Sequence, residues 1–261
     1  MENKIDKVYR KDDCLIKKIK EKREFSKLPD SIVEKVAIIM KGDVKKSRAL
    51  LRKYFGVFLT NRILKGKGSY DEILKAHMSS KKRNYLEFYK EIFQGKGFSS
   101  VIDFGAGANG YSYPYLREVF GDVNYFAVEA GGQLVENMNK FFDENHFSGR
   151  AICGDLMDLK FVNSVLKKVS GKKIIFMFQV VDALENLERD FSKKFLVNLL
   201  KQLNKGDLIV LTLPTESLGG RKKFAVRRKW IIDFLEKNFE IVKDFRMNGE
   251  RIVVIKNKTN N

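Results

Sequence analysis

The sequence predicts an α/β fold in which a helical N-terminal domain precedes a doubly wound, mostly parallel sheet. Three observations indicate this architecture. Residues 1–95 repeat apolar side chains at spacings of three and four, which is typical of amphipathic helices. After the segment Gly95-Lys96-Gly97, short apolar runs alternate with amphipathic stretches, as in strands joined by helices. Near the end of the chain, Asn248-Gly249 is a strong signal for a tight antiparallel hairpin.

The first region, residues 1–95, is expected to form a basic helical domain and a linker. Basic residues lie between its apolar positions, which predicts apolar inner faces and positive outer faces. Ser31 and Glu34 resemble a capping box after Pro29. The predicted helices cover residues 31–41, 45–64 and 81–94.

The second region, residues 96–261, is expected to form the sheet domain. Five strands should alternate with helices and lie parallel, and two final strands should flank Asn248-Gly249. The predicted strands are 99–104, 123–128, 150–153, 173–179, 207–213, 239–246 and 250–256. The predicted helices are 112–120, 132–143, 157–169, 189–203 and 223–237.

Charge is the strongest signal in the composition. The chain has 51 Lys and Arg against 33 Asp and Glu, a net charge of +18. Residues 1–95 hold 25 basic and 13 acidic side chains, whereas residues 96–261 hold 26 and 20. A basic excess concentrated in one region indicates a surface that binds nucleic-acid phosphates. The alternative is a solvated lysine-rich face of the kind that AT-rich genomes encode.

Several classes of protein do not fit this sequence. No apolar run approaches the roughly 20 residues that cross a bilayer, and the N-terminus is polar, so we expect a cytoplasmic protein without membrane partners. Cys14 and Cys153 are far apart, and His77 and His146 are the two histidines, so we expect no metal site. No heptad pattern predicts a dimer, and a monomer is the default expectation.

The segment VIDFGAGANG at 101–110 is the sharpest local motif. An apolar strand ends near Asp103, and Gly105, Ala106 and Gly107 then turn the chain before a helix. Small residues allow the backbone to approach a ligand closely, and the following helix offers free N–H groups. The alternative is an ordinary strand-to-helix turn.

Two acidic residues follow the next two predicted strands. Glu129 lies about twenty residues after the glycine turn, where a carboxylate can accept both hydroxyls of a ribose. The alternative is an exposed acid at a strand end. Asp155, in Gly154-Asp155-Leu156, could receive an adenine amino group, or it could cap a helix. Together these residues predict a nucleoside site at the carboxyl edge of the sheet, without distinguishing a dinucleotide from S-adenosylmethionine.

Four further segments carry a family resemblance: LTLPTESLGGR at 211–221, HMSSKKR at 77–83, FMFQVVDALENLE at 176–188 and DFGAGAN at 103–109. They resemble the aminoglycoside-resistance 16S rRNA methyltransferases that modify guanine at N7, and the predicted sheet matches that of class I methyltransferases. The sequence departs from the family pattern at Ser80, Lys82, Ala106, Gly110 and Gln179.

The resemblance implies S-adenosylmethionine as cofactor, the small ribosomal subunit and its 16S rRNA as partner, and a guanine of the decoding A site as target. It also implies that Arg83 approaches the methionine carboxylate of the cofactor. The expected cofactor-binding residues are His77, Ser79, Arg83, Asp103, Gly105, Ala106, Gly107, Glu129, Ala130, Asp155, Leu156 and Gln179.

Substrate contacts are expected from the basic helical domain and from the loop after the fifth strand. The expected residues are Arg48, Arg52, Lys53, Pro214, Ser217, Gly219, Gly220, Arg221, Lys222, Arg227 and Arg228. The basic run after residue 221 could instead be the polar face of a helix. Trp230, the single tryptophan, is expected in the core.

No catalytic acid or base is expected. Guanine N7 offers a lone pair and carries no proton, so catalysis would depend on alignment. His77 is therefore expected to be a hydrogen-bonding linker residue. The alternatives are a methyltransferase acting on another RNA site, a small-molecule methyltransferase, and a catalytically silent RNA-binding or assembly protein with the same fold.

Overall fold

The structure is a computed structural model that describes residues 13–56, 68–77, 81–93, 97–215 and 228–258. Eleven α-helices are present in these ranges: α1 Asp13–Lys20, α2 Asp30–Ile39, α3 Val44–Leu51, α4 Tyr70–Ala76, α5 Tyr85–Phe93, α6 Tyr113–Phe120, α7 Gly132–Glu144, α8 Leu159–Lys167, α9 Val181–Leu187, α10 Phe191–Leu200 and α11 Lys229–Asn238. The strands are β1 Ser100–Phe104, β2 Asn124–Glu129, β3 Gly149–Cys153, β4 Lys173–Phe178, β5 Leu208–Pro214, β6 Phe239–Met247 and β7 Glu250–Asn257.

The seven strands form one sheet in the order β3-β2-β1-β4-β5-β7-β6. Strands β1 to β5 are parallel, and β7 lies antiparallel between β5 and β6. The predicted hairpin is present: Asn248 and Gly249 have φ values of 53° and 80°, as a tight primed turn requires. The predicted α/β fold is confirmed, because buried parallel strands are apolar on both faces and therefore stand out in the sequence.

The two faces of the sheet bury two apolar layers. Helices α1 to α7 cover one face, and helices α8 to α11 cover the other. Helix α5 packs directly on the sheet, because Phe88 lies edge-on to Phe178, and Tyr89 stacks on Phe176, with ring centroids 5.3 and 6.0 Å apart. Helix α5, the last helix before Gly95-Lys96-Gly97, therefore belongs to the layer of helices that packs against the sheet.

A buried ion pair joins β4 and β5 at the amino edge of the sheet. Lys173 Nζ lies 3.0 Å from Asp207 Oδ2, and both side chains are almost completely buried. The Asp207 carboxylate also accepts hydrogen bonds from the backbone N–H groups of Lys173 and Asn204, at 2.9 and 2.8 Å. One carboxylate thus compensates a buried ammonium group and accepts from two backbone donors.

Three local predictions differ from the structure. Helix α2 begins at Asp30 without a side-chain cap, so the capping box at Ser31 is wrong; Ser31 lies in the first turn, where its hydroxyl reaches Asp155 instead. Helix α9 was not predicted, although its apolar residues recur at helical spacing. The helix predicted over 45–64 ends at Leu51 and continues as a π-helical turn over Arg52–Gly56; the remainder lies outside the described residues.

Candidate active site

A cavity opens at the carboxyl edge of the sheet, above β1 to β4, where topological switch points place ligand sites. Measured out to its open mouth, it contains about 830 Å³ of space free of protein atoms. The lining is mostly apolar, with a few acidic and amide groups, as in small-molecule sites. Its residues are Ile32, Tyr54, Phe55, His77, Gly105, Gly107, Glu129, Ala130, Gly154, Asp155, Leu156, Met157, Phe178, Gln179, Val180, Ala183, Leu184 and Leu187.

The glycine turn after β1 forms the floor of the cavity. Gly105 and Gly107 have positive φ values of 71° and 53°, which strongly favour glycine. A Cβ on Gly105 would lie 2.5 Å from Val180 Cγ2, and a Cβ on Gly107 would lie 2.8 Å from His77 Nε2. The turn therefore has neither the conformation nor the space for side chains, and it exposes backbone to a ligand.

Glu129, at the end of β2, holds the glycine turn from the other side. Its two carboxylate oxygens accept hydrogen bonds from Gly107 N and Gly131 N, each at 2.9 Å. Burial raises the pKa of Glu129, and the backbone N–H donors oppose that shift. The residue is half-buried and lines the cavity, so the alternative of an exposed acid is wrong.

Asp155 follows β3 and faces the same cavity. Its Oδ1 accepts a hydrogen bond from Met157 N at 2.8 Å, and its Oδ2 accepts one from the Ser31 hydroxyl at 2.7 Å. The N-cap of α8 is Asp158, so the capping alternative for Asp155 is wrong. Leu156 and Val180 both reach the space above Gly105, so apolar side chains from two loops border this part of the cavity.

One side of the cavity lies around Asp155, where adenine is predicted to bind. Helix α2, helix α9 and the π-helical turn close this side. The Tyr54 hydroxyl donates to Asn186 O at 3.1 Å, and Lys35 Nζ lies 2.7 Å from Glu188 Oε2. Together with the Ser31–Asp155 hydrogen bond, these contacts join the N-terminal helices to the rim of the sheet. The cavity is thus formed by both parts of the chain.

Asp103, predicted to bind cofactor, lies beneath the glycine turn and does not line the cavity. It is fully buried, and its Oδ2 accepts hydrogen bonds from the Tyr125 hydroxyl at 2.5 Å and from Asn109 Nδ2 at 2.7 Å. Burial raises the pKa of Asp103 to about 6, although both hydrogen bonds oppose the shift. Gly110, a departure from the resembled family, has a packing reason: a Cβ there would lie 2.7 Å from Met138 Sδ.

Arg83 and Ala106 also lie outside the cavity lining. Ala106 donates its backbone N–H to Val128 O at 3.0 Å and so helps to hold the turn. Arg83 forms a buried, bidentate ion pair with Glu250, in which the closest oxygen is 2.8 Å from Nη2. Glu250 was not predicted, because a single glutamate at the start of a strand carries no distinguishing sequence signal.

His77 closes the cavity beside Gly107. It is buried, and burial together with the nearby Arg83 charge lowers the pKa of His77 to about 3. The imidazole is therefore neutral near pH 7 and a weak base.

Solved structures share this fold. An rRNA methylase from Escherichia coli superposes with a TM-score of 0.73 at 18% identity, covering 94% of this chain and 99% of that one. The 16S rRNA methylase RmtB gives 0.72 at 18%, covering 94% and 98%. RmtF, a 16S rRNA methyltransferase in complex with S-adenosyl-L-homocysteine, gives 0.71 at 17%, covering 94% and 98%. No protein-family model matches the chain, and a search of curated proteins finds no match.

The chain has a class I methyltransferase fold. The resemblance predicted from the sequence motifs is thus confirmed at the level of the fold.

Within the described ranges, no helix has the length and apolar character to span a membrane, and no group of three or more metal-ligating side chains comes together.

Eight of the predicted cofactor residues line the cavity of this methyltransferase fold: His77, Gly105, Gly107, Glu129, Ala130, Asp155, Leu156 and Gln179. The sequence reasoning missed the aromatic pair Tyr54 and Phe55, which reach the site only through tertiary packing. It also missed Leu184 and Leu187 of α9, which the helical spacing of their apolar neighbours could have indicated.

The predicted substrate-binding arginines have internal partners in the structure. Arg48 Nη2 lies 3.0 Å from Glu21, and Arg52 Nη2 lies 2.9 Å from Glu24. Arg228 pairs with Asp182 at 2.6 Å and also donates to the Pro214 carbonyl. Each of these three arginines thus takes part in an ion pair within the chain, which clustered charge in a sequence does not reveal; their contact with substrate stays a prediction.

Among the other predicted substrate residues, the structure describes Lys53 and Pro214. Lys53 is exposed on the N-terminal helices, and Pro214 ends β5 at the carboxyl edge of the sheet. Trp230, expected in the core, is 37% exposed at the start of α11, and Lys193 Nζ lies 5.4 Å from its ring. The predicted residues Ser79, Ser217, Gly219, Gly220, Arg221, Lys222 and Arg227 lie outside the described residues.

The buried Asp103 predicts a specific pH dependence of stability. The pKa of Asp103 is higher in the folded protein than in the unfolded chain, so the folded state binds this proton more tightly. The free energy of unfolding therefore falls as pH rises from about 4 to 6. The loss is about 3 kcal/mol at most. Asp103→Asn should remove this part of the slope in urea unfolding measured from pH 4.5 to 7.5. The exposed Asp233→Asn should keep it, and equal slopes for all three proteins would contradict the prediction.

Proposed function

We propose that this protein is an S-adenosylmethionine-dependent methyltransferase that modifies guanine N7 in the decoding A site of small-subunit rRNA. The observation that carries the cofactor assignment is the carboxylate of Glu129, held by Gly107 N and Gly131 N at the edge of a cavity with a glycine floor. A carboxylate in this position suits the two hydroxyls of a ribose. RmtF, which shares the fold, is a complex with S-adenosyl-L-homocysteine.

The remaining residues of the cavity lining suit the adenine and the amino-acid end of the cofactor. Asp155 would accept the adenine amino group, and Leu156 and Val180 would cover the ring with apolar surface. The glycine turn, His77 and Gln179 would border the amino-acid end. Gly105 and Gly107 have no side chains, so their backbone borders the cavity directly.

The chemistry would require positioning more than acid–base groups. S-adenosylmethionine, when bound, supplies a methyl group on positively charged sulfur, and guanine N7 has a lone pair to accept it. Neutral His77 matches this requirement, because no proton has to be removed from N7. The protein's own contribution would be to fix the two reactants in line and exclude water.

An rRNA target accounts for the basic N-terminal region. The excess of 25 basic over 13 acidic side chains lies in residues 1–95, whose helices form one wall of the cavity. A guanine in a folded ribosomal helix has to be extruded at a cost of a few kcal/mol, and extensive phosphate contacts would offset that cost. Modification of this guanine would confer resistance to aminoglycosides.

The decisive experiment is methylation of purified small subunits with methyl-labelled S-adenosylmethionine, followed by N7-methylguanine-dependent strand cleavage. We expect label at one A-site guanine. Label at another position would keep the methyltransferase and replace the target. Absence of both label and cofactor binding, with subunit binding intact, would instead establish a silent RNA-binding protein.

Exposed lysines of the N-terminal helices are expected to carry RNA affinity. Lys45 and Lys53 are exposed and have no acidic partner in the described part of the chain. The double change Lys45→Glu and Lys53→Glu should weaken subunit binding roughly tenfold and lower the salt slope by about one per lost phosphate contact. Affinity for S-adenosyl-L-homocysteine should not change.

The matched control for this measurement is Lys237→Glu on α11, an exposed lysine near the amino edge of the sheet. It should leave subunit binding within about twofold. Filter binding at several salt concentrations measures both constants. Equal losses in the control and in the double variant would contradict a local RNA surface on the N-terminal helices.

A further inference from the structure

Glu250 is an unusual residue for the start of a strand. It follows the Asn248-Gly249 turn as the first residue of β7, and it is only 3% exposed. Its register partners are Met247 on β6 and Pro214 on β5, so it lies at the carboxyl edge beside the cavity. A buried carboxylate destabilises a fold unless hydrogen bonds and opposite charge compensate it.

The compensation is complete, because the Glu250 carboxylate accepts five hydrogen bonds. Oε1 accepts from Thr212 Oγ1 at 2.7 Å, Gln179 Nε2 at 2.8 Å and Arg83 Nη2 at 2.9 Å. Oε2 accepts from Arg83 Nη2 at 2.8 Å and Arg83 Nε at 3.1 Å. Since these bonds occupy the carboxylate, Glu250 cannot bind a ligand itself and can act only through the donors that it holds.

Arg83 is the donor whose position is most completely determined. Its guanidinium carbon lies 4.8 Å from the ring centroids of Phe88 and Phe178 and 5.4 Å from that of Tyr85. Nε and Nη2 are bonded to Glu250, whereas Nη1 has no hydrogen-bond partner among the described residues. A guanidinium group with one remaining nitrogen is suited to a second planar anion such as a carboxylate.

The neighbours of Arg83 place its guanidinium group close to the cavity. Phe178, against the guanidinium, lines the cavity, and so does Gln179, which shares the Glu250 carboxylate. The Arg83 charge also acts on His77, which closes the cavity beside the glycine turn. Through Phe178 and Gln179, the Arg83–Glu250 pair therefore contacts the cavity lining.

We propose that Glu250 is a positioning residue that holds Arg83 for the carboxylate at the amino-acid end of the cofactor; this inference rests on the proposed function. The hairpin formed by β6 and β7 is then part of the cofactor site, although none of its residues lines the cavity. The same carboxylate holds Gln179, whose φ of 58° is stabilised by backbone N–H bonds to Thr212 O and Oγ1, each 3.1 Å.

The test compares two ligands that differ at one end. S-adenosyl-L-homocysteine has the amino-acid group, and 5′-methylthioadenosine has the same nucleoside and thioether without it. Isothermal titration of the full chain with Glu250→Gln should show at least tenfold weaker binding of S-adenosyl-L-homocysteine and a change within twofold for 5′-methylthioadenosine. Gln cannot neutralise Arg83, and its amide N–H₂ would face the guanidinium donors.

Asp244→Asn is the matched control. It removes a carboxylate from an arginine on the same hairpin, but the Asp244–Arg251 pair is partly exposed, and Arg251, as the next residue in the strand, lies on the opposite face of β7 from Glu250. Affinity for both ligands should remain within twofold. Arg83→Lys, which keeps the charge but not the forked geometry, should reproduce the selective loss even if Glu250→Gln folds poorly.

Equal losses for both ligands in Glu250→Gln and Arg83→Lys would overturn the positioning role in favour of a purely structural one. Unchanged or tighter binding of S-adenosyl-L-homocysteine would also overturn it. If the unmodified protein binds neither ligand, the proposed function itself fails, and the inference fails with it.

Discussion

Replacing Glu129 by Ala should lower affinity for S-adenosyl-L-homocysteine at least about 100-fold. A hydrogen bond to a charged group contributes about 1.5–3 kcal/mol, and two ribose hydroxyls would bond to this carboxylate. About 1.4 kcal/mol corresponds to a factor of ten in affinity. The change also releases Gly107 N and Gly131 N, so the glycine turn loses its support. Isothermal titration measures the loss directly.

Glu129→Gln is a milder version of the same change. It keeps one acceptor and the side-chain shape, so its affinity should lie between those of the unmodified protein and Glu129→Ala. Glu136→Ala is the control, because Glu136 lies exposed on α7 and pairs with Lys27 at the surface. A loss of less than threefold in Glu129→Ala would disprove the ribose-binding role of this residue.

Replacing Asp207 by Ala should reduce the free energy of unfolding by about 3–5 kcal/mol, because it leaves the buried Lys173 ammonium group without a counter-charge. Two backbone N–H groups, those of Lys173 and Asn204, also lose their acceptor. Urea unfolding measures the change. The ion pair lies at the opposite edge of the sheet from the cavity, so cofactor affinity of the folded variant should be preserved.

The companion variants separate charge from packing. The double change Asp207→Ala and Lys173→Met removes both charges and should recover a large part of the loss. Glu240→Ala breaks an exposed pair with Lys256 and should cost less than about 1 kcal/mol. A single Asp207→Ala variant as stable as Glu240→Ala would show that the buried pair does not stabilise the sheet.

The positions of the strands along the chain and the acidic residues at their ends could be predicted from the sequence, because both depend on local signals. Parallel strands buried on two faces are continuously apolar, and a ligand site in this architecture lies where such strands end. Gly105, Gly107, Glu129 and Asp155 each lie within three residues of the end of a predicted strand, and the structure brings all four to one cavity.

The remaining features depend on contacts between residues far apart in the chain. Arg48, Arg52 and Arg228 looked like ligands for phosphate, and each has a carboxylate partner inside the protein. Glu250 is separated from Arg83 by 167 positions, so no local spacing could join them. Trp230 was expected in the core because its neighbours in the sequence are apolar. In the structure, Ile231 and Ile232 are buried, whereas Trp230 lies on the outward face of the helix.

The contacts around β5 have a consequence for the length of chain that the fold tolerates after this strand. Thr215 donates its N–H and hydroxyl to Gly249 O at 2.9 and 2.7 Å, and Arg228 binds both Asp182 and the Pro214 carbonyl. The residues on either side of positions 216–227, Thr215 and Arg228, are therefore both fixed to the rest of the fold. Loop closure entropy changes by only about 0.6 kcal/mol for each doubling of length. Changes in the length of the chain between Thr215 and Arg228 should therefore cost the fold little.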